Sequence, residues 1–74
     1  MWQEQDDKLV KEFSFPDFKS ALAFVNKVGD LAEKANHHPD IELSWGRVKI
    51  SLTTHDADGI TERDRTLAKE IDTV

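Results

Sequence analysis

Between Lys8 and Phe15 apolar and polar residues alternate loosely, with Leu9, Lys11 and Phe13 on one side and Val10, Glu12 and Ser14 on the other. A short run rich in aromatic and β-branched residues predicts a strand. A shorter strand around Trp2 to Gln5 precedes it, with Asp6-Asp7 as the turn between them. At Phe15-Pro16-Asp17 the period changes. Phe18, Leu22, Val25, Val28 (or Gly29) and Ala32 recur at helical spacing, and Ala21, Phe24, Leu31 and Ala35 widen the stripe. The pattern predicts a long helix from about Pro16 or Asp17 to about Asn36. Pro39 cannot continue a helix, so His37 and His38 are expected at its C-terminal end.

Past Pro39 the period returns to two. Ile41, Leu43 and Trp45 alternate with Glu42 and Ser44; beyond Gly46-Arg47, Val48, Ile50 and Leu52 alternate with Lys49, Ser51 and Thr53. A type II′ turn at Gly46-Arg47 pairs Trp45 with Val48, Leu43 with Ile50 and Ile41 with Leu52. Every apolar residue then lies on one face. The run from Thr54 to Gly59 is rich in turn formers. Thr61-Glu62-Arg63-Asp64 has the spacing of a capping box, with aspartate in place of glutamate. Leu67, Ala68, Ile71 and Val74 make a narrow apolar stripe on the helix that it starts. The order β-β-α-β-β-α predicts an α+β fold in two layers: a four-stranded antiparallel sheet with helices packed on one face. A single domain is expected over residues 1–74.

Size and charge narrow the function classes. A 74-residue chain of this kind buries only roughly 60% of its unfolded surface, which makes a monomer marginal. Association, as a homodimer or homotetramer, is an expected remedy. There is no cysteine, so disulfides, iron–sulfur clusters and thiolate zinc sites are excluded. That fits a reducing cytoplasm. The net charge is −5, with lysines and arginines scattered singly among acids, so no direct nucleic-acid partner is expected. Apolar runs fall far short of the roughly 20 residues that span a bilayer. The acidic N-terminus lacks the apolar core of a secretory signal. A cytoplasmic protein without membrane contact is the expectation.

The candidate chemistry lies in Ala35-Asn36-His37-His38-Pro39-Asp40. The chain has three histidines in all. Histidines at a helix end often do no more than complement the helix dipole. An imidazole, with an ordinary pKa of about 6.5, also suits proton transfer near neutral pH. Glu33, four residues before His37, is expected on the same helical face, where a carboxylate can orient an imidazole. The hairpin returns the chain so that His55 reaches the same end of the sheet as His37 and His38. Asp64 falls on the apolar face of the last helix, where capping its first turn is the simpler role. Asp56 and Asp58 read as solvated turn residues. Three histidines with carboxylates can also hold zinc or iron, but neither an HExxH nor a facial-triad spacing is present, so no metal is expected. Phe13, Phe15, Phe18 and Phe24 read as core. Trp45 can cap the core or wall a flat pocket.

Glu33, three residues, His37-His38-Pro39, five residues, Trp45, nine residues, His55, eight residues, Asp64: this spacing resembles the signature of the pterin-4a-carbinolamine dehydratases. Similarity in Phe13-x-Phe15-x-Asp17-Phe18 and from Thr54 to Asp64 extends the resemblance over nearly the whole chain. Trp2 resembles a tryptophan that borders the family's pterin site. The chain starts where the additional N-terminal helix of most members would already have ended.

The resemblance implies dehydration of 4a-hydroxytetrahydropterin to quinonoid dihydropterin, which recycles the cofactor of aromatic amino acid hydroxylases. It implies His38 and His55 as acid and base, and His37 as a residue that binds and polarises the pterin. Glu33 is then expected to orient His37, and Asp64 to orient His55 or steady its loop. Pro39, Trp45 and Trp2 would border the site. The pterin is substrate, and no cofactor is implied. A second possibility comes with the same resemblance. Some relatives serve as a transcription-factor coactivator and others as RuBisCO assembly factors, the latter without the histidine set that is intact here.

Overall fold

A computed structural model describes residues 1–74. Strands β1 (Gln3–Gln5) and β2 (Lys8–Ser14) form a tight hairpin with Gln5 opposite Lys8. Its two turn residues, Asp6 and Asp7, have φ of 50° and 64°. That is the left-handed pair a two-residue turn needs to match the strand twist, and aspartate tolerates it better than most residues. Helix α1 (Phe18–Ala35) starts at Asp17, whose carboxylate accepts the Ser20 backbone N–H at 2.7 Å. That bond holds the Asp17 carboxyl below the usual carboxylate range. β3 (Asp40–Ser44) and β4 (Arg47–Leu52) make the second hairpin, and α2 (Glu62–Ile71) closes the chain.

The strands lie in the order β1-β2-β4-β3, every pair antiparallel. One face of the sheet contributes Leu9, Val48, Ile50 and Leu52 to the core. Against it pack Ala21, Phe24 and Val28 of α1 and Leu67, Ala68 and Ile71 of α2. The α+β two-layer architecture is as expected from the sequence. Neither helix is long and apolar enough to cross a membrane.

Three local expectations need correction. The second hairpin turns at Trp45-Gly46, with Ser44 opposite Arg47, so Leu43 faces Val48 and Ile41 faces Ile50. The register is shifted by two residues from that expected, which keeps every side chain on its face. Neither Trp45 nor Gly46 has a positive φ, so the turn is not type II′. Its glycine serves close approach instead: the Phe15 N–H donates to the Gly46 carbonyl at 2.8 Å, and a Cβ on Gly46 would lie 2.8 Å from the Phe15 carbonyl oxygen. Second, the buried side of α1 is Ala21, Phe24, Val28 and Ala32, whereas Phe18 and Leu22 are exposed. Third, α1 ends about where expected, but His37 and His38 do not continue its turn. Asn36 takes a left-handed conformation (φ 50°) and its N–H caps the carbonyls of Ala32 and Glu33, so the helix ends three residues ahead of Pro39.

Candidate active site

The reversal at Asn36 decides where the histidine pair points. Had the helix continued, Glu33 and His37 would share a face. The left-handed cap instead turns His37 inward, where it is buried between α1 and α2, and leaves His38 outside. Glu33 consequently meets His38: its carboxylate bonds the His38 Nε2, not His37 as expected. His37 Nε2 finds Asp64 Oδ1 at 2.5 Å. Asp64 therefore holds His37 and not His55; of the two roles expected for it, the structure fits the second, steadying the loop of His55 through Thr54.

Asp64 is fully buried. Besides His37, it accepts the Thr54 hydroxyl at 2.7 Å and the Thr61 backbone N–H at 2.9 Å, the latter closing the capping box of α2. Burial pushes its carboxyl up, but the bonds from His37, Thr61 and Thr54 outweigh burial and hold it below the usual range. One aspartate thus starts a helix and anchors an imidazole. The cap expected from the sequence and the bond to His37 coexist on one carboxylate.

His55 opens a 3₁₀ turn (His55–Ala57) just after β4. The turn is pinned by a Thr54–Gly59 bridge and by Asp58 at φ 54°. The return of β4 along β3 brings this turn beside the end of α1. All three imidazoles line one open cleft of about 220 Å³, together with Asn36, Thr53, Thr54, Asp56 and Arg63. Their environments differ. His37 is buried on a buried carboxylate, His38 is exposed on an exposed carboxylate, and His55 is exposed. No three histidine or carboxylate side chains are arranged to hold a metal ion.

The remaining candidates lie elsewhere. Pro39 and Glu33 border a neighbouring groove between α1 and β3 that also touches His38. Trp45 is at the turn of the second hairpin, the opposite end of the sheet, and is 69% exposed. Trp2 packs edge-on against Phe13 and donates its indole N–H to Asp72 at 3.1 Å. Neither tryptophan lines the histidine cleft of its own chain. Two residues of the site had escaped the sequence reading. Thr54 follows Val48, Ile50 and Leu52 in the inward parity of β4, so a polar side chain there demands a buried partner. Arg63 borders the cleft and donates to the Asn36 carbonyl at 3.0 Å; nothing in its own neighbourhood in the sequence points to that bond.

Comparison with known proteins bears on the family and the fold. The sequence profile of the family described as "Pterin 4 alpha carbinolamine dehydratase" matches residues 1–74. A protein of Thermomicrobium roseum, provisionally named a pterin-4-alpha-carbinolamine dehydratase, is 53% identical over 70 residues, covering 95% of this chain and 75% of its own length. One of the same provisional name from Thermosynechococcus vestitus is 51% identical, covering 95% and 74%. Among solved structures, a transcriptional coactivator/pterin dehydratase from Brucella melitensis superposes with a TM-score of 0.92 at 34% identity, covering 97% of this chain and 79% of that one. A pterin dehydratase-like protein identified as a RuBisCO assembly factor in the alpha-carboxysome gives 0.80 at 26% identity, covering 99% and 84%. The agreement of profile, relatives and fold along the whole sequence makes this chain a member of the pterin-4a-carbinolamine dehydratase family.

Proposed function

We propose that the protein is a hydro-lyase that converts 4a-hydroxytetrahydropterin to quinonoid dihydropterin and water. The observation that carries this reading is the meeting of three imidazoles in different surroundings at one open cleft. The reaction breaks the C4a–O bond. An acid must deliver a proton to the departing hydroxyl, and a base must take the proton from the ring nitrogen whose lone pair forms the new double bond. Imidazoles can do both near neutral pH. His38 and His55 are the exposed pair and take the acid and base roles; His37, fixed on Asp64, binds and polarises the ring. Glu33 supports His38. The pterin is consumed as substrate and no bound cofactor is invoked. The product is the oxidised form that a reductase returns to an aromatic amino acid hydroxylase.

The test is dehydration of freshly generated 4a-hydroxytetrahydropterin, followed by its absorbance change in a rapid-mixing instrument. Wild-type protein should accelerate the decay, and His38→Ala and His55→Ala should each reduce the acceleration by about 10²-fold or more. Wild-type protein without acceleration would remove the enzyme reading. A second reading is then favoured by one feature of the surface. Phe18 and Leu22 of α1 are 45% and 40% exposed, and β3 is an edge strand, which suits a protein-interaction module such as the RuBisCO assembly role named for one structural neighbour. Under the enzyme reading the same surface joins copies of the chain as a homodimer or homotetramer, which light scattering after gel filtration would resolve.

A further inference from the structure

The bonds around Asp64 leave every proton only one place to be. An ionised carboxylate accepts hydrogen bonds and donates none. The Thr54 hydroxyl, 2.7 Å from Asp64 Oδ2, must therefore give its proton to that oxygen. The Thr61 hydroxyl lies 2.7 Å from Thr54 Oγ1, so Thr61 donates to Thr54. His37 Nε2, at 2.5 Å from Asp64 Oδ1, must carry its proton too. Nδ1 is then the one ring nitrogen of His37 left to meet a substrate.

We propose that Thr54 is a positioning residue for His37. Its hydroxyl occupies Asp64 Oδ2 from the strand side, while the Thr61 N–H occupies the same oxygen from the helix side at 2.9 Å. Held between them, the carboxylate keeps Oδ1 turned to His37, and the imidazole keeps one tautomer and one orientation. Thr54 is itself buried and stands directly before His55 on the chain. One residue thereby ties the turn that carries His55 to the carboxylate that holds His37. Its bearing on catalysis rests on the dehydratase reading; its bearing on the His37 tautomer does not.

The test compares wild type, Thr54→Val and Thr54→Ser. Valine keeps the volume and removes the hydroxyl; serine restores it. Long-range proton–nitrogen NMR of the histidine rings should find neutral His37 carrying its proton on Nε2 in wild type and Thr54→Ser, and a mixture of tautomers in Thr54→Val. Dehydration kcat should fall about tenfold in Thr54→Val, the worth of one charge-assisted bond, with KM within twofold, and recover in Thr54→Ser. A neutral wild-type His37 with its proton on Nδ1, or in mixed tautomers, would overturn the proposal even if the valine variant does not fold. So would a valine variant with unchanged tautomer and kcat, or a serine variant that behaves like valine. An altered tautomer in Thr54→Val, in a wild type without dehydratase activity, would retain Thr54's positioning role and remove the dehydratase reading alone.

Discussion

Asp64→Asn is the substitution with the most readable consequence. The amide keeps the size of the carboxylate but supplies one acceptor oxygen and one NH₂ donor. Three donors point at Asp64, those of Thr61, Thr54 and His37. The Thr61 N–H is fixed by the backbone at the start of α2, so the amide oxygen must face it, and the NH₂ group then faces His37. His37 can accept from it only by moving its own proton to Nδ1. The tautomer inverts. Three bonds to a charged acceptor become neutral, at about 1 kcal/mol each, and the easier burial of an amide returns part of that. A net loss of about 1–3 kcal/mol is expected, a large share of the stability of so small a domain. Dehydratase kcat should drop by about 10²-fold or more, because the ring nitrogen presented to substrate changes from acceptor to donor.

The pH dependence of that loss has a definite sign. The carboxyl of Asp64 is held below its ordinary range, so the ionised form stabilises the fold above the unfolded value of about 3.9 and the benefit is lost as pH falls through the folded value. Urea unfolding of wild type and variant should differ fully near about pH 7 and converge toward about pH 3. A gap equally wide at both would refute the assignment of an ionised, bond-stabilised Asp64. A variant that kept wild-type kcat would refute the tautomer reasoning.

Three further outcomes follow from single residues. Glu33→Gln should lower kcat only a few-fold, because the Glu33 side chain is 76% exposed and that of His38 58%, where water screens the pair; a rate assay at low and high salt checks it, with the smaller effect at high salt. Gly46→Ala should destabilise by about 1–3 kcal/mol in chemical unfolding, since its Cβ would press on the Phe15 backbone at 2.8 Å, not on a side chain that can swing away. Ile50→Ala, at a fully buried position between sheet and helices, should cost about 2–5 kcal/mol and lower the thermal midpoint without changing the pH profile of the reaction.

Most of the fold was legible because it is written in local periods. Alternation in β2, β3 and β4, the aspartate pair of the first turn and the Thr61–Asp64 capping spacing each specify an element without knowledge of its neighbours. The register of the second hairpin was not legible. Two candidate turns, Trp45-Gly46 and Gly46-Arg47, differ by a shift that preserves every facing, so the hydrophobic pattern cannot choose between them. The choice is made by Phe15, whose backbone closes on Gly46. The same limit applies to the site. Spacing identified His37, His38, His55, Glu33 and Asp64, but not which carboxylate serves which imidazole. That depends on Asn36, since one left-handed residue breaks the helical rule that would have joined Glu33 to His37.

The reversal at Asn36 also explains how adjacent histidines come to differ in surroundings. On a continuous helix, His37 and His38 would stand about 100° apart, with His37 on the face of Glu33. With the cap in place, one ring is buried on a carboxylate that has no solvent access, and the other sits outside on a carboxylate that water reaches freely. Proton chemistry at one pH needs groups whose surroundings separate their tasks. Under the dehydratase reading, that separation comes from the end of a helix rather than from different residue types. Arg63 adds to it, since its bond to the Asn36 carbonyl ties the cap to α2, the helix that supplies Asp64. A change that let α1 run on through Asn36, such as Asn36→Ala, is therefore expected to damage catalysis more than stability. Such a variant should keep its unfolding free energy within about 1 kcal/mol of wild type, the usual range for a surface helix cap. It should lose dehydratase rate as His37 leaves Asp64, and an unchanged rate would show that the histidine pair works without the reversal.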